Sequence, residues 1–243
     1  MPISIRAVPC LSDNYIWLLR DEASGAVAVC DPGEAGPAAA AALRDGGGRL
    51  DLILLTHHHG DHVGGVGALK AAFGGQVVGN EADARRLPPL DLAVRPGGAV
   101  EFGGSRAEVI DTPGHTRGHV AFNFKGDDVL LCGDTLFSLG CGRLLEGTAA
   151  EMFRSLQALN ALPGETLVCC GHEYTEGNAR FALSVDGGNA ALRAMAEAAA
   201  ALRRDGKPTV PTTLAREREA NPFLRAPTEA RLAELRTAKD NFR

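Results

Sequence analysis

Residues 3–9, 14–20 and 26–30 are short apolar runs broken by turn-forming residues, the second break being Ala23-Ser24-Gly25, a pattern that predicts antiparallel strands. The alanine-rich stretch 37–45 predicts a helix, stopped by Gly46-Gly47-Gly48. Residues 51–55 read as a continuous apolar run, as in a strand buried on both faces. A helix is expected over 62–73, ended by Gly74-Gly75, and further strands over 76–79, 99–102, 107–111, 119–124 and 129–132. A helix over 149–159 and a last strand over 165–170 complete the alternation. Interleaved elements of this kind predict an α/β fold of sheets covered by helices.

Beyond residue 172 the pattern changes. No strand is expected there. Helices are predicted over 173–185, 189–204 and 228–239, the last with Thr228 as N-cap, and the proline-bearing stretch 207–225 reads as extended. Charge shifts at the same place. Residues 1–172 hold 13 basic and 20 acidic side chains, a net of −7; residues 173–243 hold 12 and 10, a net of +2. The chain therefore divides into 1–172 and 173–243. Sparse alanine-rich helices seldom build their own core, so the second part is expected to pack on the first.

Composition removes several function classes. In 243 residues, 45% hydrophobic and 23% charged, there is neither a disordered nor a fibrous signature. Gly and Pro make up about 18% without a G-x-y period, which signals many tight turns. A net charge of −5 with a pI near 5.8 argues against a nucleic-acid footprint. No run approaches the ~18 apolar residues of a membrane span. Residues 1–10 lack a basic stretch followed by a long apolar one, so no signal peptide is expected. The cysteines at 10, 30, 132, 141, 169 and 170 include no Cys-x-x-Cys; they read as buried thiols of a reducing, cytoplasmic compartment.

The histidines carry the chemistry. Four of seven fall within Thr56-His57-His58-His59-Gly60-Asp61-His62, between a buried strand and a helix, where α/β proteins place ligands. Neutral imidazole binds divalent ions, and alternate residues of an extended loop, His57 and His59, point the same way. Asp61 and His62 stand at the turn into the helix. His115, Asp134 and His172 each sit by a glycine, just past a predicted strand. Five histidines and two aspartates exceed what one four- or five-coordinate ion takes, so two ions are expected. Asp134, alone on its loop, suits the bridge. That leaves His57, His59 and His115 for one metal and Asp61, His62 and His172 for the other. Nitrogen and carboxylate donors without thiolate admit zinc, iron or manganese. His58 and His119 are read as supporting neighbours. No Gly-x-Ser-x-Gly elbow is present, which disfavours a serine hydrolase.

The His-x-His-x-Asp-His loop with its distal His, Asp and His resembles the hallmark of the metallo-β-lactamase superfamily over residues 1–172. Within it the chain is similar to the glyoxalase II family, the hydroxyacylglutathione hydrolases. The motifs are Leu11-Ser12-Asp13-Asn14-Tyr15, Gly140-Cys141-Gly142-Arg143 with Glu146-Gly147-Thr148, Gly171-His172-Glu173-Tyr174-Thr175, Asn221-Pro222-Phe223-Leu224-Arg225 and the terminal run from Leu235 to Phe242. The resemblance spans nearly the whole chain. It implies an αββα sandwich followed by a small helical glutathione-binding domain. It also implies hydrolysis of the thioester S-D-lactoylglutathione to D-lactate and glutathione, the second step of methylglyoxal detoxification. Asp61 and Asp134 would orient a hydroxide held between two divalent metals.

Position by position, the resemblance sets Arg143 and Tyr174 against the glutathione moiety and Arg236 and Lys239 at its glycine carboxylate. That last pair, three residues apart, shares one helix face. Position 145, often aromatic in the family, is Leu145. The alternatives are another hydrolase of this fold, a one-iron glutathione persulfide dioxygenase, and a non-catalytic binding module. The partner expected is a small glutathione thioester, with no nucleic acid and no membrane, and the protein is expected to be monomeric. Every expected ligand lies at or before His172, so removing the helix from Thr228 onward is expected to leave the metal centre intact.

Overall fold

The computed structural model describes residues 3–242; Met1, Pro2 and Arg243 lie outside them, and with Met1 and Pro2 the start of the segment read for a signal peptide. The first sheet begins with β1 (Ile3–Cys10), β2 (Asn14–Asp21) and β3 (Val27–Cys30). Helix α1 (Ala35–Gly46) leads to β4 (Leu52–Leu54), and helices α2 (Gly60–Val63) and α3 (Val66–Phe73) lead to β5 (Gln76–Asn80) and then β6 (Leu92–Val94). The strands lie in sequence order, antiparallel from β1 to β3 and parallel from β3 to β6. The second sheet opens with β7 (Ala99–Phe102), β8 (Ser105–Asp111), β9 (Val120–Phe124) and β10 (Val129–Gly133). A small hairpin of β11 (Leu136–Phe137) and β12 (Gly140–Cys141) and helix α4 (Ala149–Asn160) precede β13 (Leu167–Cys170). Helices α5 (Thr175–Asp186) and α6 (Ala190–Arg204), strand β14 (Thr212–Thr213) and helices α7 (Leu214–Ala220) and α8 (Glu229–Asp240) complete the chain. The order of the second sheet is β14-β13-β10-β9-β8-β7.

The alternation of side chains explains the layers. Trp17, Leu19, Ala28, Cys30, Leu52 and Leu54 face the second sheet, where they meet Phe122, Phe124 and Leu130. Their chain neighbours Ile16, Leu18, Val27, Val29, Ile53 and Leu55 face the other way, onto Ala38 and Ala41 of α1 and Val66 and Leu69 of α3. A strand sandwiched between a sheet and a helix layer must be apolar at every position. At one edge the sheets are joined directly: Trp17 Nε1 donates to Cys170 O at 2.9 Å, Tyr15 N to Gly171 O at 2.8 Å, and Val120 N to Thr56 O at 2.9 Å.

Several local expectations are corrected. The segment after 172 does contribute a strand, because Thr212 and Thr213 pair with Val168 and Leu167 and so extend the second sheet. The stretch 207–225 is not extended throughout: Thr213 Oγ1 caps α7, and Leu214 and Ala220 bury against the fold. The helix expected over 62–73 is two helices. A Cβ on Gly65 would stand 2.6 Å from Ala35 N, so chain packs against chain at Gly64-Gly65. The helices after 172 do pack on the first part: Phe181, Leu214, Phe223, Leu232 and Leu235 belong to the main core, and a smaller cluster gathers Leu192 and Met195 around Leu139.

Candidate metal centre

Four loops at strand ends meet at this edge. They follow β4 (His57 to His62), β8 (His115), β10 (Asp134) and β13 (His172). Gly171 lets two of them approach: a Cβ there would lie 2.5 Å from Asp134 Oδ1 and 2.7 Å from His62 Cε1.

Hydrogen bonds set each imidazole's tautomer. Thr56 Oγ1 donates to Asp31 Oδ2 at 2.6 Å, so it accepts from His57 Nδ1 at 3.0 Å and leaves the His57 Nε2 lone pair free. His62 Nδ1 faces Asp31 Oδ2 at 3.1 Å, His115 Nδ1 faces Arg143 O at 2.9 Å, and His172 Nδ1 faces Asp13 Oδ1 at 2.8 Å. These partners are acceptors, so Nδ1 carries the hydrogen and Nε2 is left with a lone pair to offer a cation in all three. His59 is turned the other way: its Nδ1 lies 3.1 Å from His57 Nε2 and 3.0 Å from His115 Nε2.

Two clusters stand apart, His57, His59 and His115 in the first and Asp61, His62 and His172 in the second; a third grouping, Asp31 with His57 and His62, shares a histidine with each of them. In the second, Nε2 of His62 and of His172 are 3.3 Å apart, with Asp61 Oδ2 at 3.6 and 3.5 Å. Asp134 stands between them: Oδ2 is 3.5 Å from His115 Nε2 and 3.3 Å from His172 Nε2, and Oδ1 is 3.5 Å from His62 Nε2. Its Oδ1 is buried with no hydrogen-bond partner.

Bonds of 2.0–2.1 Å at a tetrahedral angle put ligand nitrogens ~3.3 Å apart, so these spacings, the converging lone pairs and the orphaned carboxylate oxygen fit divalent cations. Electrostatics agrees. Burial and the surrounding imidazoles hold His57 well below its ordinary pKa, and His59 and His115 are lowered for the same reasons. Burial also pulls on His62 and His172, but Asp134, with Asp31 and Asp13, outweighs it and raises both. The carboxylates thus favour positive charge in the second cluster, a preference a bound cation satisfies.

His58 and His119 face elsewhere. His58 Nδ1 lies 2.9 Å from Asp83 Oδ2. His119 Nε2 accepts from Asp134 N at 3.1 Å, while its Nδ1 lies 2.8 Å from Thr112 Oγ1, so it braces the Asp134 loop. Sequence reasoning assigned no role to Asp31, Thr56, Asp13 or Asn14, whose Nδ2 donates to Asp61 Oδ2 at 3.0 Å. For Asp31 the available signal was an acid directly after a buried strand.

A family model of the metallo-beta-lactamase superfamily matches residues 12–172, and one of the hydroxyacylglutathione hydrolase C-terminus matches 173–242. A hydroxyacylglutathione hydrolase of Acidiphilium cryptum is 55% identical over 239 residues, covering 98% of this chain and 97% of that protein. One of Methylococcus capsulatus is 51% identical over 255 residues, covering 99% of each. The chain belongs to the hydroxyacylglutathione hydrolase family of the metallo-β-lactamase superfamily. Its fold is that of the crystal structure of ETHE1 from Myxococcus xanthus, with TM-score 0.73, 25% identity and coverage of 98% and 90% of the two chains. A crystal structure of TTHA1623 in a di-iron-bound form aligns with TM-score 0.57 and 30% identity over 68% of this chain and 90% of that one.

The four residues that the family resemblance set against substrate are unequal. Tyr174 is half-exposed, its ring stacked on His172 with centroids 4.6 Å apart. Arg143 points outward, and its Nε lies 3.8 Å from Asp240 Oδ1. Arg236 is only 5% exposed: Nη1 donates to Cys141 O at 2.8 Å and Nη2 to Asp240 Oδ1 at 2.8 Å. Its guanidinium is held by protein acceptors, one of them a backbone carbonyl of the β11–β12 hairpin. Lys239 Nζ donates to Gly177 O at 2.9 Å. Burial, then Arg236, Arg180 and Arg143, bring it down to about 8. Arg180 is a member of this basic group that sequence reasoning missed. Leu145 is exposed. All six cysteines are free and buried, and burial pushes the Cys170 thiol up to about 12. Among the described residues no helix is long and apolar enough to cross a membrane.

Proposed function

We propose that the protein hydrolyses S-D-lactoylglutathione to D-lactate and glutathione, and that it holds two divalent metal ions per chain. His57, His59, His115 and Asp134 hold one, and Asp61, His62, His172 and Asp134 the other. The observation that carries this reading is a complete double ligand set in a chain 55% identical, over nearly its full length, to a hydroxyacylglutathione hydrolase. Imidazole and carboxylate donors admit zinc, iron or manganese, with zinc the first choice. When bound, such ions acidify water and polarise a thioester carbonyl.

The protein's own residues supply orientation. Asp61, steadied by Asn14, and Asp134 aim the attacking water. Tyr174 offers a ring and hydroxyl beside His172. Arg143, Arg180 and Lys239 present positive charge to the peptide carboxylates, while Arg236 holds the Cys141 carbonyl. The leaving thiolate is stable enough to need no strong acid. Residues 1–172 form the catalytic part and 173–243 the glutathione-binding part. Six free thiols suit a reducing cytoplasm. A one-iron dioxygenase would leave Asp61, His62 and His172 without a task. The test is thiol release from S-D-lactoylglutathione, with elemental analysis of the same sample. Full activity with one ion per chain would sink the two-metal reading, and absence of thiol release would sink the activity.

A further inference from the structure

The hairpin of β11 and β12 follows Asp134 and leads into Arg143, so its backbone governs where both side chains reach. Two strands of two residues make a weak hairpin on their own. Its backbone polar groups are held instead by side chains from beyond residue 172. Asn221 Nδ2 reaches Phe137 O at 3.1 Å and Gly140 O at 3.0 Å, and Asn178 Nδ2 donates to Ser138 O at 3.0 Å. Leu139 N donates to Glu217 Oε2 at 2.8 Å, and Arg236 Nη1 donates to Cys141 O at 2.8 Å. Each residue from 137 to 141 thus has a partner on α5, α7, α8 or the residue after α7. Leu139 sits at φ 58°, a left-handed conformation that a leucine keeps only when its surroundings impose it.

Glu217 and Asn221 are fully buried, 3.0 Å apart, and remote from every metal-ligand candidate in sequence. Burying a carboxylate costs free energy unless its bonds serve the fold or the site. The hairpin links them to the site. Phe137, buried, sets its ring edge-on to His172 with centroids 6.0 Å apart and to Tyr174 at 5.3 Å. His172 is thereby steadied on three sides: Asp13 at Nδ1, Tyr174 on its face and Phe137 beside it. Only Phe137 among these depends on α7.

We propose that Glu217 and Asn221 are positioning residues of the metal centre: their grip on the 137–140 backbone presses Phe137 against His172 and Tyr174 and so fixes the direction of the His172 imidazole. The inference rests on the two-metal reading above. Partners that orient a metal-binding histidine commonly change metal affinity 10–100-fold when lost, and ligand geometry tolerates only ~10–20° of error.

The test uses the full chain loaded with cobalt(II), in wild type, Glu217→Ala, Asn221→Ala and Glu217→Gln. Chelator titration is followed by the visible cobalt bands and by elemental analysis, with kcat and Tm measured alongside. The amide oxygen of Glu217→Gln still accepts from Leu139 and Asn221, so this variant should titrate like wild type. Both alanine variants should lose one of two ions at about 10-fold lower chelator, with altered cobalt bands and reduced kcat. A lowered Tm with a wild-type titration and spectrum would overturn the proposal, leaving these contacts to stability alone. If the alanine variants do not fold, Phe137→Leu decides: it keeps the grip of α7 and removes the ring, and it should weaken the same ion; unchanged retention overturns the proposal. A wild-type protein that takes up only one cobalt overturns the two-metal reading itself, and this one with it, before any variant is compared.

Discussion

Lys239 offers a sharp test of how the basic group meets an anionic substrate. Burial first, then the guanidinium groups of Arg236, Arg180 and Arg143, depress its pKa to about 8. At pH 7 it is therefore about nine-tenths charged and at pH 9 about one-tenth. The side chain is partly exposed, so its charged contact with a carboxylate is worth ~1 kcal/mol after screening, about five-fold in binding. Because the cation is the form that binds, affinity falls as pH rises through 8: KM for S-D-lactoylglutathione should climb roughly three-fold between pH 7 and 9, since about a tenth of the lysine is neutral at the lower pH and about a tenth still charged at the higher. The substrate's own ammonium also titrates in this range, so the comparison is with Lys239→Arg, whose guanidinium stays charged throughout. The ratio of wild-type to Lys239→Arg KM should rise across pH 8, and Lys239→Ala should start high and lack this rise. A ratio that stays flat from pH 7 to 10 would refute the assignment of Lys239 to substrate charge.

Asp134→Ala should strip metal and activity far more than His58→Ala, because Asp134 faces both clusters while His58 turns to Asp83; comparable metal content in the two would undo the bridge assignment. Arg236→Ala should remove a buried charge-assisted bond to Cys141 O, about 2 kcal/mol, and lower Tm by roughly 4–8 °C. A change in KM with Tm untouched would return Arg236 to the substrate. Burial raises the Glu217 pKa above 4.5, so its contribution to stability is full below that value and is lost as pH rises through the elevated one. Glu217→Gln should therefore gain in Tm relative to wild type as pH rises above 4.5; a constant difference would mean that Glu217 keeps an ordinary pKa.

Local pattern and chemistry made much of this protein readable from its sequence. The apolar runs at β2, β3, β4 and β10 become strands because a chain buried on both faces has almost no polar position to spare. The seven ligand candidates were also legible, since the spacing His-x-His-x-Asp-His and the glycine-flanked residues past strands are local signals. What lay beyond local pattern is long-range. The two-residue strands β11, β12 and β14 have too few residues to show a period and exist only through their partners. The roles of Asp31 toward His62 and Asp13 toward His172 span 31 and 159 residues, distances over which no local pattern operates. Arg236 shows the limit most clearly. Three-residue spacing correctly placed it on one helix face with Lys239, but which of the two turns inward was decided by the carbonyl of Cys141, 95 residues earlier. Local sequence pattern was enough for the longer strands and helices and for naming the side chains that are candidates to bind metal. Tertiary structure decided which nitrogen each histidine presents, which base is buried, and that α5, α7 and α8 hold the hairpin beside Asp134. Hydrogen-bond partners and burial are set by approach in space, and that approach is absent from any local run of residues.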